Sequence, residues 1–223
     1  MNHFASDQVS QFLISNPEMA IVPSTTKGIV IEGSFAFTAT ADNFPVISDS
    51  YRLRIIVSPK YPTILPDIEE IGGRIPRTQS WHVYSPNGLL CLGSPIRLKM
   101  LLVSDPSLTG FFKNCVIPYL YAVSLKLKNS GISSFIFGEL AHDISGVIDD
   151  YKTIFGINTD AQIVQMVEIL GMKKRDANKK SCPCGCGKRL GICSFREKVV
   201  RFRGAASKEW FQHHYRDLVS RIE

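Results

Sequence analysis

Four cysteines, Cys182, Cys184, Cys186 and Cys193, fall within twelve residues near the end of a 223-residue chain, in a segment too short to hold a core of its own. A segment of this kind folds when an ion staples it. Four thiolates satisfy one tetrahedral zinc, and Gly185, Gly187 and Gly191 permit the tight turns around it. A bare thiol cluster in a reducing compartment is an oxidation liability. An all-thiolate site leaves no position open for water, so the expected zinc is structural.

The rest of the chain has length for one core of ordinary size. Its 44% hydrophobic and 21% charged residues are those of a globular chain. Met1 to Ser15 shows no basic stretch followed by a long apolar run, and no run approaches the ~20 residues of a membrane span. The expected location is the cytoplasm, where cysteines serve metal binding or catalysis before disulfides. The formal charge of +6 is uneven. Met172 to Glu223 holds fourteen Lys or Arg against five Asp or Glu, a net of +9, which leaves −3 for residues 1–171. A basic tail can meet nucleic acid or an acidic surface, or can be merely solvated.

In chain order, Ser6–Ile14 reads as an amphipathic helix with Val9, Phe12 and Leu13 on one face, ended by Asn16-Pro17. Gly28–Thr40 reads as one long strand, or two broken at Gly33, and Ala41-Asp42-Asn43 as a turn. Tyr51–Val57 alternates as a half-buried strand, and Asp67–Ile71 is a short third. The proline-rich loop Ser58–Pro66 buttresses the sheet edge, and Gly72-Gly73 closes the meander. Short connections between sequential strands predict an antiparallel sheet in an α+β fold. Asp105-Pro106 opens a helix that Pro118 kinks or splits. Further helices are expected over Phe137–Phe155, from Thr159 or Asp160 to Leu170 with Gly171 as its C′ residue, and over Lys208–Ile222 with Trp210, Phe211, Tyr215 and Leu218 inward. Met172–Ser181 reads as a linker and Val199–Arg203 as a short strand. The expected domains are 1–171, a basic linker at 172–181, and a zinc-stapled module at 182–223.

Chemistry points to Trp81–Pro95. It holds His82 and Cys91 on either side of the turn signal Ser85-Pro86-Asn87-Gly88, which can deliver Leu89-Leu90-Cys91-Leu92 to a groove. The bland alternative is a small buried thiol among leucines. Cys115 lies on an apolar helical face and reads as core. Glu139 and His142 share a helix face but lack further metal ligands, and His213-His214 reads as surface or packing.

Tyr61-Pro62 with Pro66, His82, and Asn87-Gly88-Leu89-Leu90-Cys91-Leu92 together resemble the ubiquitin-conjugating enzymes over roughly residues 5–155. Cys182–Arg189 is similar to the SEC-C zinc motif. The combination resembles the bacterial ubiquitin-conjugating-like proteins of CBASS antiphage operons. The resemblance implies an antiparallel meander with flanking helices and a thioester between Cys91 and the C-terminal glycine of a protein, passed on to a target lysine. The operon context implies a cGAS-like nucleotidyltransferase as donor. With no adenylate-forming element in the chain, a separate activating enzyme or another route supplies the acyl group. His82 would orient the loop or act as base. Val83 and Tyr84 follow His82 where the family has Pro and Asn, so the oxyanion donor is left among backbone amides, His82 and Asn87. The SEC-C pattern matches Cys182, Cys184 and Cys193 but ends on Ser194. Cys186 is the preferred fourth ligand, with His213 or His214 as alternatives. The competing functions are a non-catalytic partner-binding module of the same fold and, ranked third, a nucleic-acid-binding zinc protein.

Overall fold

Residues 3–85, 87–128 and 143–222 are described by the computed structural model. The fold is mixed α+β, and the chain alternates between two packed units: Met1–Gly93 with Ser104–Glu139, and Ser94–Val103 with Leu140–Glu223.

In the first unit, α1 (His3–Ser15) buries Ala5, Val9 and Phe12, the spacing of one helical face. It ends where the Asn16 side chain donates to the Phe12 carbonyl at 2.8 Å. Strands β1 (Met19–Thr25), β2 (Gly28–Ala39), β3 (Ile47–Val57) and β4 (Asp67–Glu70) then form an antiparallel meander in sequential order. β3 follows the expected alternation, with Tyr51, Leu53, Ile55 and Val57 buried. β2 runs unbroken through Gly33. There φ is 152° and a Cβ would lie 2.1 Å from the Glu18 carbonyl oxygen, so the glycine admits the close approach of the chain entering β1. β1 has no counterpart in the sequence reading. It carries Pro23, which an edge strand tolerates, and it pairs with β2 alone.

The proline-rich loop after β3 buries Tyr61, whose ring stacks with Phe4 at a centroid distance of 6.4 Å. Downstream, α3 (Leu108–Phe111) starts at Ser107, whose hydroxyl accepts from the Gly110 N–H. The ladder widens by one residue over Phe112–Val116 and continues as α4 (Ile117–Lys128). That widening immediately precedes Pro118, which has no N–H to give the ladder. The helix is therefore adjusted at the expected place. Phe12, Phe35 and Phe112 meet at centroid distances of 4.5 to 6.2 Å. α4 is tied to β3 by Tyr51 Oη to Ser124 Oγ at 2.7 Å and by Ser124 Oγ donating to Asp49 at 2.8 Å.

The second unit contains α2 (Pro95–Leu101), α5 (Asp143–Phe155), α6 (Asp160–Leu170), α7 (Lys174–Ala177), α8 (Phe195–Phe202) and α9 (Lys208–Ile222). α6 opens on a capping box between Thr159 and Gln162. Its inward residues Ile163, Met166, Val167 and Leu170 share one core with Tyr151, Phe155, Phe211 and Leu218. Gly171, expected as the C′ residue, takes the position one place earlier, as the C-cap, with φ of −80°. Its lack of a side chain lets Gln212 of α9 approach, since a Cβ would meet it at 3.0 Å.

Three boundaries differ from the sequence expectation. α5 and α6, expected in the first domain, pack with the C-terminal segment, because their apolar faces find their partner in α9. The expected linker contains α7, with Ala177 buried in that same core. Val199–Phe202 is helical, with Arg203 as the cap: Phe195, Val199 and Phe202 recur at i, i+4 and i+7 and are all buried, a period that outweighs the β-branched pair Val199-Val200. Among the described residues, no helix is long and apolar enough to cross a membrane.

Candidate functional site

The segment after β4 is built as a small hairpin on the sheet edge. A one-turn helix at Gln79–Trp81 ends at His82, with φ of 52°. Val83 pairs with Leu90, and the Tyr84 N–H donates to the Leu89 carbonyl at 2.9 Å. Asn87 Oδ1 accepts the Leu89 N–H at 3.2 Å, and Gly88, at φ of 69°, donates to the Tyr84 carbonyl at 2.8 Å. The returning arm is fixed to β4 by the Leu90 N–H on the Ile68 carbonyl at 2.8 Å.

This arrangement brings His82 and Cys91 together. The Cys91 N–H donates to the His82 carbonyl at 2.8 Å, so the two residues are paired across the hairpin by their backbones. Cys91 is half-buried, and the hydroxyl of exposed Tyr84 donates to its sulfur at 3.7 Å. Behind it, buried Tyr119 donates to the Trp81 carbonyl at 2.8 Å. Burial, with a smaller contribution from the Cys91 charge, pushes the Tyr119 phenol far above its ordinary value. Lys126 donates to the Ser80 carbonyl at 2.8 Å and lies over the Trp81 ring.

On the outer face of the sheet an alternating charge ladder leads to the hairpin. Arg54 pairs with Glu32 at 2.6 Å and Glu69 at 3.0 Å, and Glu69 pairs with Arg77 at 3.0 Å. The Arg77 guanidinium lies where a Cβ on Gly88 would be, at 2.8 Å. Asn87 and Gly88 therefore shape the turn. Cys115 is 3% exposed and burial pushes its thiol up to about 12, which is the inert core cysteine expected. Glu139 and His142 lie outside the described residues.

The second candidate is the cysteine cluster. Ser181 pairs with Arg189, and the Cys182 N–H donates to the Lys188 carbonyl at 2.8 Å, closing a tight hairpin through Gly185 and Gly187, both with positive φ. The four sulfurs of Cys182, Cys184, Cys186 and Cys193 all lie within 4.8 Å of one another. Sulfur separations are 3.2 Å for Cys182–Cys184, 3.8 Å for Cys184–Cys193 and 3.6 Å for Cys186–Cys193. Four sulfurs at ~2.3 Å from a tetrahedral ion stand about 3.8 Å apart.

Backbone amides also aim at these sulfurs. The Phe195 N–H, above other causes, holds the Cys193 thiol down at about 7. The Lys188 N–H acts in the same sense on Cys186, although its other surroundings leave that thiol raised. Burial raises Cys182 most strongly, against the N–H of Cys184. Each such donor comes from the residue two positions on, so three thiols are supplied with amides suited to thiolate charge. The cluster could hold a metal ion, with Cys186 in the fourth place. His213 is exposed, and His214 is committed elsewhere: its Nε2 meets Tyr151 Oη at 2.7 Å, beneath the Trp210 ring.

Sequence reasoning missed Tyr84, because its hydroxyl reaches Cys91 only once the hairpin closes. It also missed a polar knot in the second unit. Asp150, fully buried, accepts from Ser94 and pairs with Arg97 of α2. Tyr151 Oη accepts the Ile96 N–H at 3.2 Å and shares a hydrogen bond of 2.7 Å with His214 Nε2. These groups are spread across α2, α5 and α9, and no local spacing links them. Comparison of the chain with family models, curated proteins and solved structures finds no match.

Proposed function

We propose that this protein is a ubiquitin-conjugating-like acyl carrier. Cys91 forms a thioester with the C-terminal glycine of a donor protein and transfers the acyl group to a target amine. The observation that carries the reading is the contrast between its two cysteines outside the cluster. Cys91 sits half-exposed on a hairpin fixed at both arms, paired with His82 and contacted by a hydroxyl. Cys115 is buried, and that burial pushes its thiol up. A helix followed by a four-strand antiparallel meander and then the cysteine hairpin is also the order that the resemblance implies. His82, fixed as the last residue of its turn, orients the hairpin.

The donor that the operon resemblance suggests is a cGAS-like nucleotidyltransferase, in bacterial antiphage defence. A separate activating enzyme would supply the activated carboxyl group. Cys182, Cys184, Cys186 and Cys193 would hold a structural zinc. When bound, that ion supplies a four-way cross-link between the hairpin and the start of α8, and all four of its positions are taken by protein.

The test uses a peptide ending in Gly-Gly, offered as its mercaptoethanesulfonate thioester, and intact-mass spectrometry of the full chain. Wild type and Cys115→Ser gain the peptide acyl mass and lose it to added thiol, whereas Cys91→Ala gains nothing. A wild-type chain that never acquires the mass at Cys91 contradicts the proposal.

A further inference from the structure

We propose that α7, the cysteine hairpin and the first turn of α8 form a binding surface for double-stranded nucleic acid, held through its backbone phosphates. The inference goes beyond the conjugating reading and does not depend on it.

Between Met172 and Arg196 the sequence holds eight Lys or Arg against one acid, Asp176, a net of +7. Zinc on four thiolates would carry −2 and leave the segment at about +5. The fold gathers these charges. The Asn178 carbonyl accepts the Gly191 N–H at 3.0 Å, the Lys180 carbonyl accepts the Leu190 N–H at 2.9 Å, and the Lys188 carbonyl accepts the Cys182 N–H at 2.8 Å. The end of α7 and both arms of the hairpin are thereby laced together. The Arg196 N–H, on the Cys193 carbonyl at 3.1 Å, joins the start of α8 to them.

Elsewhere in the unit, cations are matched by acids: Arg97 by Asp150, and Lys152 by Asp149 and Asp160. In this segment Arg175 meets Asp176 and Lys180 meets Glu168. Lys173, Lys174, Lys179, Lys188, Arg189 and Arg196 are exposed and enter no ion pair among the described residues. Cations gathered without paired acids repel one another, and a polyanion relieves that repulsion.

The kind of polyanion follows from what accompanies the cations. Protein interfaces are poor in lysine and centre on aromatic anchors. Here lysines outnumber arginines, and the sole aromatic ring of the segment, Phe195, is buried. The same lack removes a platform on which single-stranded bases would stack. What remains is contact with phosphates, which a duplex presents in a dense row whatever its sequence.

The experiment follows fluorescence anisotropy of labelled DNA and RNA duplexes of one sequence, titrated with the zinc-loaded full chain. At least one duplex is expected to bind, with affinity falling about 1,000-fold between about 50 and 200 mM salt if all six cations meet phosphates. Comparison of the two duplexes tells DNA from RNA. The triple variant Lys179→Ala, Lys188→Ala, Arg189→Ala is expected to lose about half of the logarithmic salt slope, and Lys179→Arg, Lys188→Arg, Arg189→Lys to keep it. Arg52→Ala, Lys60→Ala, Lys113→Ala removes the same charge from exposed positions of the first unit and is expected to bind as wild type does. Three results overturn the proposal: no binding to either duplex, an equal loss in both alanine triples, or tighter binding to poly-glutamate than to the duplexes. The last assigns the surface to an acidic protein. Acyl loading of Cys91 is read separately, so failure here leaves the conjugating reading standing.

Discussion

Individual residues here are tuned by what covers them. Cys115 is deep in the first unit, whereas Cys91 is half-exposed, so brief iodoacetamide treatment of the native chain is expected to label Cys91 and spare Cys115. Peptide mass spectrometry reads the two sites separately. His214 offers a pH test. Burial pushes its imidazole down to about 4, with Tyr151 and Trp210 against it and Asp217 and Arg221 near. The unfolded chain then binds the proton first on acidification. The stabilisation is complete above pH ~6.5 and is lost as pH falls towards 4, by up to about 3 kcal/mol at ~1.4 kcal/mol per pH unit. Urea titrations at pH 7 and pH 4.5 are expected to show this loss, and His214→Gln is expected to reduce it. None of this was legible in the sequence, where His213 and His214 look alike. Only the fold places one of them against a tyrosine of α5.

At the scale of elements, periodicity served where it was long and failed where it was short. The alternation of β3 and the stripe of α6 were readable because each has four or more inward positions. β1 was not, because its apolar run Met19–Val22 is short and is cut by Pro23, which an edge strand tolerates. α8 was misread because two adjacent valines spoke for strand, while Phe195, Val199 and Phe202 gave the helical answer. The packing of α9 can be checked directly. Leu218 is 1% exposed in the core shared with α6, so Leu218→Ala is expected to cost about 2–5 kcal/mol in urea unfolding. Tyr84 shows the same limit at a site: a hairpin's cross-strand contacts depend on register, which a turn signal implies but does not specify.

For the molecule as a whole, the cysteine cluster is part of a larger core. Cys182 and Leu190 are buried with residues of α5, α6 and α9, so the hairpin cannot open without exposing apolar surface. Chelation of a metal-loaded preparation is therefore expected to lower the unfolding transition of the whole second unit. If the hairpin were a detached appendage, circular dichroism would report no change in that transition. The cysteine cluster and the Cys91 segment were both visible as motifs, whereas the division into two units was not, since it depends on helices distant in sequence. The central claim is that Cys91 carries an acyl group. Its most direct test is intact-mass spectrometry of the chain co-expressed with the proposed donor, a cGAS-like nucleotidyltransferase, and an activating enzyme, before and after thiol treatment, in wild type and Cys91→Ala. The account predicts a thiol-sensitive adduct that disappears with Cys91 and whose mass identifies the donor. No adduct, with an intact nucleotidyltransferase present, would contradict it and favour a partner-binding module.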